Sequence, residues 1–184
     1  MSIRTHTQEE YDAWGHSLKG DTEKWTEVEK CDLDDVSLVA RLIYAEEFTR
    51  EGQASVAQEL HNRMRNWRFK DGSQLSYLDS PGYKHTWKGI IYASKQYTPI
   101  ADSNSRAITP ITTDADWKSA CDFAFHIVES TLYAAKIVDE AGITNQMRHT
   151  GYHGRLQDMQ AVLASYNSTT IPWGEDGSGE KMYG

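Results

Sequence analysis

The strongest constraint in this chain is a set of apolar positions that recur at helical spacing in three places. Val36, Val39, Ala40, Ile43 and Ala45 form the first set, Val56, Leu60 and Met64 the second, and Trp117, Ala120, Cys121, Ala124, Ile127 and Val128 the third. Residues three and four apart share one helix face, so each set predicts a helix with a side committed to a core. Asp34 or Asp35 is placed to cap the first helix, which then ends close to Glu46 and Glu47. The second runs over 52–67 after a loop at 48–51, and Asp114 or Asp116 caps the third, with 129–136 as an extension. Three such helices predict a mainly α domain, with an α+β arrangement still open because the stretches between them are short or irregular.

Those stretches read as follows. Thr7-Gln8-Glu9-Glu10 offers a helix start and Gly20 a stop, so 1–33 is expected to be a peripheral N-terminal helix and linker. Gly72, Ser73, Ser76, Ser80, Pro81 and Gly82 favour an exposed loop over 71–85. The apolar run Trp87 to Ala93 is short, and Pro99 limits its surroundings to a turn or an edge element. Gly142, Gly151 and Gly154 break any long helix after Asp139, leaving 158–166 for one more short helix. The domain therefore spans 34–166, and the polar, Gly-rich 167–184 is expected to be a loosely held tail.

A net charge of -8 argues against a phosphate-binding surface, so no nucleic-acid partner is expected. Arg63, Arg65, Arg68 and Lys70 lie in a mixed helical stretch and read as a solvated face. No run of about 18 apolar residues exists, which predicts no membrane span. The first 20 residues hold acidic and aromatic side chains where a secretory signal needs a basic head and an apolar core. Cys31 and Cys121 lack C-x-x-C spacing, and a disulfide, two free thiols or one of each all remain open.

Several blocks then agree in order and approximate spacing: Ala40-Arg41-Leu42-Ile43-Tyr44-Ala45-Glu46, Glu51-Gly52-Gln53-Ala54-Ser55-Val56-Ala57, Asn62-Arg63-Met64-Arg65, Gly89-Ile90-Ile91-Tyr92 and Gln96-Tyr97-Thr98-Pro99-Ile100-Ala101-Asp102. Over about 36–135 this resembles the SleB-type cell-wall hydrolases, the family of the spore-cortex-lytic enzyme, with weaker likeness to about 154. The resemblance implies a compact, lysozyme-like helical domain with a small irregular or β element. It implies action on bonds between N-acetylmuramic acid and N-acetylglucosamine, so the partner is the glycan strand of peptidoglycan. No cofactor is implied, and the essential acid is the Glu matching Glu46.

Physical chemistry points the same way. A glycosidase acid must hold its proton near neutral pH, and Glu46 sits at the end of an apolar helix between Tyr44 and Phe48. Desolvation against aromatic surface and the negative potential of a helix C-terminus both favour the protonated form. Without the resemblance, a solvated helix end beside Glu47 would be the natural reading. A second carboxylate, if hydrolysis needs one, is Glu51 or Asp102. Alternatively the sugar's own 6-hydroxyl attacks and closes a 1,6-anhydro ring, with Glu46 as acid and later base. This lytic transglycosylase route is favoured, because neither carboxylate has a context that singles out a nucleophile and Asp102 suits bracing of the turn at Pro99.

Gln53, Tyr97 and Thr98 match family positions near the cleft and suit contacts with acetamido and hydroxyl groups, whereas helix capping by Gln53 and core packing by Tyr97 stand beside that reading. His149-Thr150-Gly151-Tyr152-His153 resembles, loosely, a segment lining the family's cleft, which makes Thr150 and Tyr152 candidates for substrate contact. A zinc site on His149 and His153 finds no third ligand and is disfavoured by Gly151. Two departures stand out: Glu47-Phe48-Thr49-Arg50 is shorter than the family's loop after the acid, and its late aromatic-Asn-Pro signature is missing. The shortened loop motivates an alternative of another class, a catalytically silent glycan-binding module. With no visible signal, cell-wall action fits a phage-type endolysin, an effector exported by another machine, or one piece of a larger protein.

Overall fold

A computed structural model describes residues 3–65, 86–92, 97, 105–129, 152–154, 172–175 and 181–183. Its elements in chain order are α1 (Gln8–Trp14), a 3-10 helix (Trp25–Lys30), α2 (Asp35–Glu46), α3 (Arg50–Arg65), α4 (Trp87–Ile91), α5 (Ser105–Ile108), α6 (Ala115–Glu129), β1 (Tyr152–Gly154), β2 (Pro172–Glu175) and β3 (Lys181–Tyr183). The fold is mainly α.

α2 is the centre of the domain. Every residue from Val36 to Ala45 is buried, so a helix whose sequence shows one apolar stripe is in fact enclosed all round, with α6, α5, α4, α3 and α1 packed about it. Its start is settled by Asp34, whose Oδ1 accepts the Ser37 N–H at 2.7 Å. α6 presents Trp117, Ala120, Cys121, Phe123, Ala124 and Ile127 to this core, with Val128 half-buried. α3 starts at Arg50, two residues earlier than its apolar pattern suggests, and buries Val56 and Leu60 with Met64 half-buried. It also buries Gln53, Ser55, Gln58, Glu59 and His61, which periodicity alone does not foresee.

The N-terminal segment is part of the same core, not peripheral. Thr7 caps α1 reciprocally with Glu10, but the helix stops at Trp14, well before Gly20. Gly15 allows that stop: a Cβ there would overlap Thr112 Cγ2 and lie 2.9 Å from the Trp117 indole. Gly20 instead occupies a turn at φ 111°. Tyr11, Leu18, Trp25 and Val28 are all buried. Tyr11 Oη donates to Asp122 Oδ1 at 2.8 Å, and His6 Nδ1 meets the same oxygen at 2.8 Å. The Arg41 guanidinium, fully buried, donates to the carbonyls of Trp14, His16 and Ala107 at 2.9, 2.7 and 2.6 Å. Burial without a carboxylate partner among these contacts lowers its pKa to about 10.

The 167–184 stretch holds two strands. β3 lies between β1 and β2 in an antiparallel sheet, with Tyr152 opposite Tyr183 and Gly174 opposite Met182. One extra residue in β2, between Pro172 and Gly174, makes a bulge, and Pro172 takes the first strand position, where a missing N–H is tolerated. β1 approaches α3. The short helix expected over 158–166, the loop over 71–85 and the extension of α6 lie outside the described residues.

Candidate active site at the α2–α3 corner

α2 ends on Glu46, and only Glu47, Phe48 and Thr49 separate it from α3. Glu47 leaves the helix in extended conformation while its N–H still bonds the Ile43 carbonyl at 3.1 Å. Thr49 begins the next helix: its Oγ1 accepts the Gly52 N–H at 3.1 Å and its carbonyl the Gln53 N–H at 2.9 Å. Glu46 and Glu47 are half-buried, whereas Phe48 is 68% exposed.

An arginine that sequence reading passed over organises this corner. The Arg106 guanidinium, carried by α5, lies 3.9 Å from the centre of the Tyr44 ring and 3.8 Å from that of Phe48, and it pairs with the Asp116 carboxylate. Tyr44 is buried edge-on to Trp117. Asp116 therefore does not cap α6: it is the helix's second residue, and Asp114 stands just before the first turn. Nothing in the spacing of Arg106 relative to residues 44 and 48 marks this sandwich, because it joins segments about 60 residues apart.

Two cavities flank the sandwich. One, of about 580 Å³, is bounded by Tyr44, Arg106, Lys19, Glu23 and Ile111; the other, of about 450 Å³, by Phe48, Arg50, Asp116, Lys118 and Tyr11. Glu46 lines neither of these two. Arg50 bonds the Ser119 hydroxyl at 3.2 Å and lies 4.8 Å from the centre of the Phe123 ring.

The other candidate residues divide. Gln53 is fully buried, and its Nε2 donates to the carbonyls of Glu47 and Asp116 at 3.1 and 3.0 Å, so its amide braces the corner and has no surface to offer a sugar. Nor does that side chain cap α3, which Thr49 does. Tyr97 is 6% exposed and belongs to the core cluster, the packing role that stood beside the cleft reading. Glu51 is half-buried in the first turn of α3, on the far side of the corner from Glu46 in sequence. Tyr152 and His153 lie on β1, so the two histidines at 149 and 153 do not share a helix. Thr98, Asp102, His149 and Thr150 lie outside the described residues. Among the described residues no group of three or more His, Cys, Asp or Glu is gathered as metal ligands would be.

Cys31 and Cys121 are both free thiols, and burial pushes the pKa of each upward, most strongly for the enclosed Cys121. No protein-family model matches this chain, and no similar curated protein or solved structure was found. Among the described residues no helix is long and apolar enough to cross a membrane.

Proposed function

We propose that this chain cleaves the glycan strand of peptidoglycan, with Glu46 as the general acid. The observation that carries the reading is the seat of Glu46: a half-buried residue that ends the central buried helix and lies in the chain between Tyr44 and Phe48, the two rings that sandwich Arg106. An acid must be held at hydrogen-bond distance from the oxygen it protonates, to within about 0.5 Å of the productive geometry, and a rigid helix end does that better than a loop. The exposed Phe48 ring offers a flat apolar surface of the kind on which sugar faces stack. The sequence resemblance to SleB-type hydrolases supports the same residue.

In the reaction Glu46 delivers its proton to the glycosidic oxygen as the C–O bond breaks, and positive charge develops on the muramic sugar. In the favoured transglycosylase route the sugar's 6-hydroxyl then attacks that carbon and the Glu46 carboxylate takes its proton, closing the anhydro ring. The hydrolytic alternative uses water guided by Glu51 or Asp102.

Glu46→Gln tests the assignment: cleavage of purified peptidoglycan should disappear while the circular dichroism and Tm stay those of the parent. Full activity in that variant sinks the proposal. Mass spectrometry of the parent's products separates the routes, since anhydro ends mark transglycosylation and reducing ends hydrolysis. The three-residue corner, shorter than the family's loop, favours one competing reading, a silent glycan-binding module. Binding of glycan strands without any products would establish it.

A further inference from the structure

The corner contains a second carboxylate whose placement the sequence does not advertise. Gly52 is the third residue of α3, and an ideal Cβ built on it would fall 2.5 Å from Glu47 Oε2, 2.8 Å from Cδ and 3.1 Å from Cγ. Its φ is not positive, since Gly20 alone among the described glycines has that conformation. Backbone freedom is therefore not why glycine stands there. The reason is space: the missing Cβ leaves a notch in the helix, and the Glu47 side chain lies in it along three of its atoms. Glycine is the poorest helix residue after proline, so a glycine in the first turn of a long helix works against the helix itself.

Two further ties converge on the same residue. The Glu47 N–H closes the last turn of α2 on Ile43, and the Glu47 carbonyl receives Gln53 Nε2 at 3.1 Å. That same Nε2 reaches the Asp116 carbonyl, linking the corner to the start of α6. Residue 47 is thus held by its N–H, its carbonyl and its side chain, and Glu46 is bonded directly to it. The consecutive Glu51-Gly52-Gln53 acquires a mechanical meaning, in which Gly52 admits the Glu47 side chain and Gln53 grips its carbonyl.

We propose that Glu47 is a positioning residue, seated in the Gly52 notch so that the corner carrying Glu46 holds one conformation. The catalytic part of this role rests on Glu46 being the acid. The seat itself is a claim about packing and stands apart from that assignment.

A double-mutant cycle tests both parts, with thermal unfolding and turnover of solubilised glycan strands as its readouts. Gly52→Ala should lower Tm by about 1 °C or more in the parent, because the far end of the Glu47 side chain has to leave the notch. In the Glu47→Ala background the same change should leave Tm unaltered or raise it, because alanine then favours the helix with nothing in its way. Glu47→Ala should lower kcat at least about tenfold with KM within about twofold, the pattern of a misplaced acid and not of lost binding. Glu47→Gln, which fills the notch with a side chain of equal length, should recover most of that loss.

Equal Tm losses from Gly52→Ala in both backgrounds would overturn the seat, and should Glu47→Ala not fold, the same cycle run with Glu47→Ser decides it. An unchanged kcat in Glu47→Ala overturns the positioning role, as does a Glu47→Gln enzyme no faster than Glu47→Ala. If Glu46→Gln keeps full activity, the acid assignment fails and the catalytic part falls with it, whereas the Tm cycle still accepts or rejects the seat.

Discussion

Arg41 and Trp14 are joined through two hydrogen bonds to one atom: the Trp14 carbonyl accepts Arg41 Nη2 at 2.9 Å and the Ser37 hydroxyl at 2.7 Å. Ser37 Oγ in turn accepts Arg41 Nε at 3.2 Å. This closed set fastens the end of α1 to the middle of α2, and the remaining guanidinium protons carry it on to His16 and Ala107. Replacing Arg41 by Met would keep much of the volume while taking the side-chain donor from the His16 and Ala107 carbonyls, the Trp14 carbonyl keeping the Ser37 hydroxyl. Because the buried Ala107 carbonyl loses a charged donor and the His16 carbonyl a partly buried one, a loss of about 2–4 kcal/mol is expected in urea unfolding. A loss below about 1 kcal/mol would show that the carbonyls find other donors.

Gly15→Ala should destabilise the chain by about 1–3 kcal/mol, the usual cost of forcing a methyl into a filled core. The added methyl meets Thr112 and Trp117 at once. Pairing it with Thr112→Ser, which removes the Cγ2 in the way, should recover part of the loss in the same denaturation experiment.

Alkaline pH should weaken the fold from about pH 9 upward. Cys121 has its pKa raised above the ordinary 9.0 by burial, so between those values the unfolded chain has released a proton that the folded chain still holds. The folded state then binds more protons, and stability falls as pH rises, having been fully present below about 9. Cys31 acts in the same sense, whereas Arg41, with a pKa lowered to about 10, acts in the opposite sense above that value. Tyr11, raised from 10.0 to about 12 chiefly by burial, adds to the fall as pH approaches 10, so the window from about pH 8.5 to 9.5 reports chiefly on the thiols. Urea unfolding across it should show a negative slope that Cys121→Ala reduces. A flat profile in the parent would refute the linkage.

Phe48→Ala should lower Tm by no more than about 4 °C, since the ring is largely exposed and loses chiefly its contact with the Arg106 guanidinium, yet raise KM for glycan strands about fivefold or more with kcat nearly constant. Unaltered KM would remove Phe48 from the substrate platform.

How much of this was legible in the sequence depended on range. The helices over 35–46 and 115–129 follow from apolar spacing, and Thr7 with Glu10 announces a reciprocal cap, because each of these signals is confined to a few neighbouring residues. What escaped joins distant segments: Arg106 between Tyr44 and Phe48, Arg41 on the carbonyls of Trp14 and Ala107, and Met182 opposite His153 in a stretch that reads as a polar tail. Gln53 shows the limit within the site. An amide beside a candidate cleft reads equally as a sugar contact or a brace, and only its burial against Glu47 and Asp116 separates them.

The fastening of residues 14 and 16 onto Arg41 also bears on how this protein can be cut down. A fragment begun at Asp34, where helix capping suggests a natural boundary, would keep the arginine and lose the Trp14 and His16 carbonyls that accept from it, along with the Tyr11 carbonyl that receives Trp117 Nε1. Such a piece would also uncover the core face that Tyr11, Leu18, Trp25 and Val28 cover. Residues 3–33 are accordingly an internal scaffold of the domain, and shortened versions that dispense with them should accumulate as insoluble material instead of a smaller working unit.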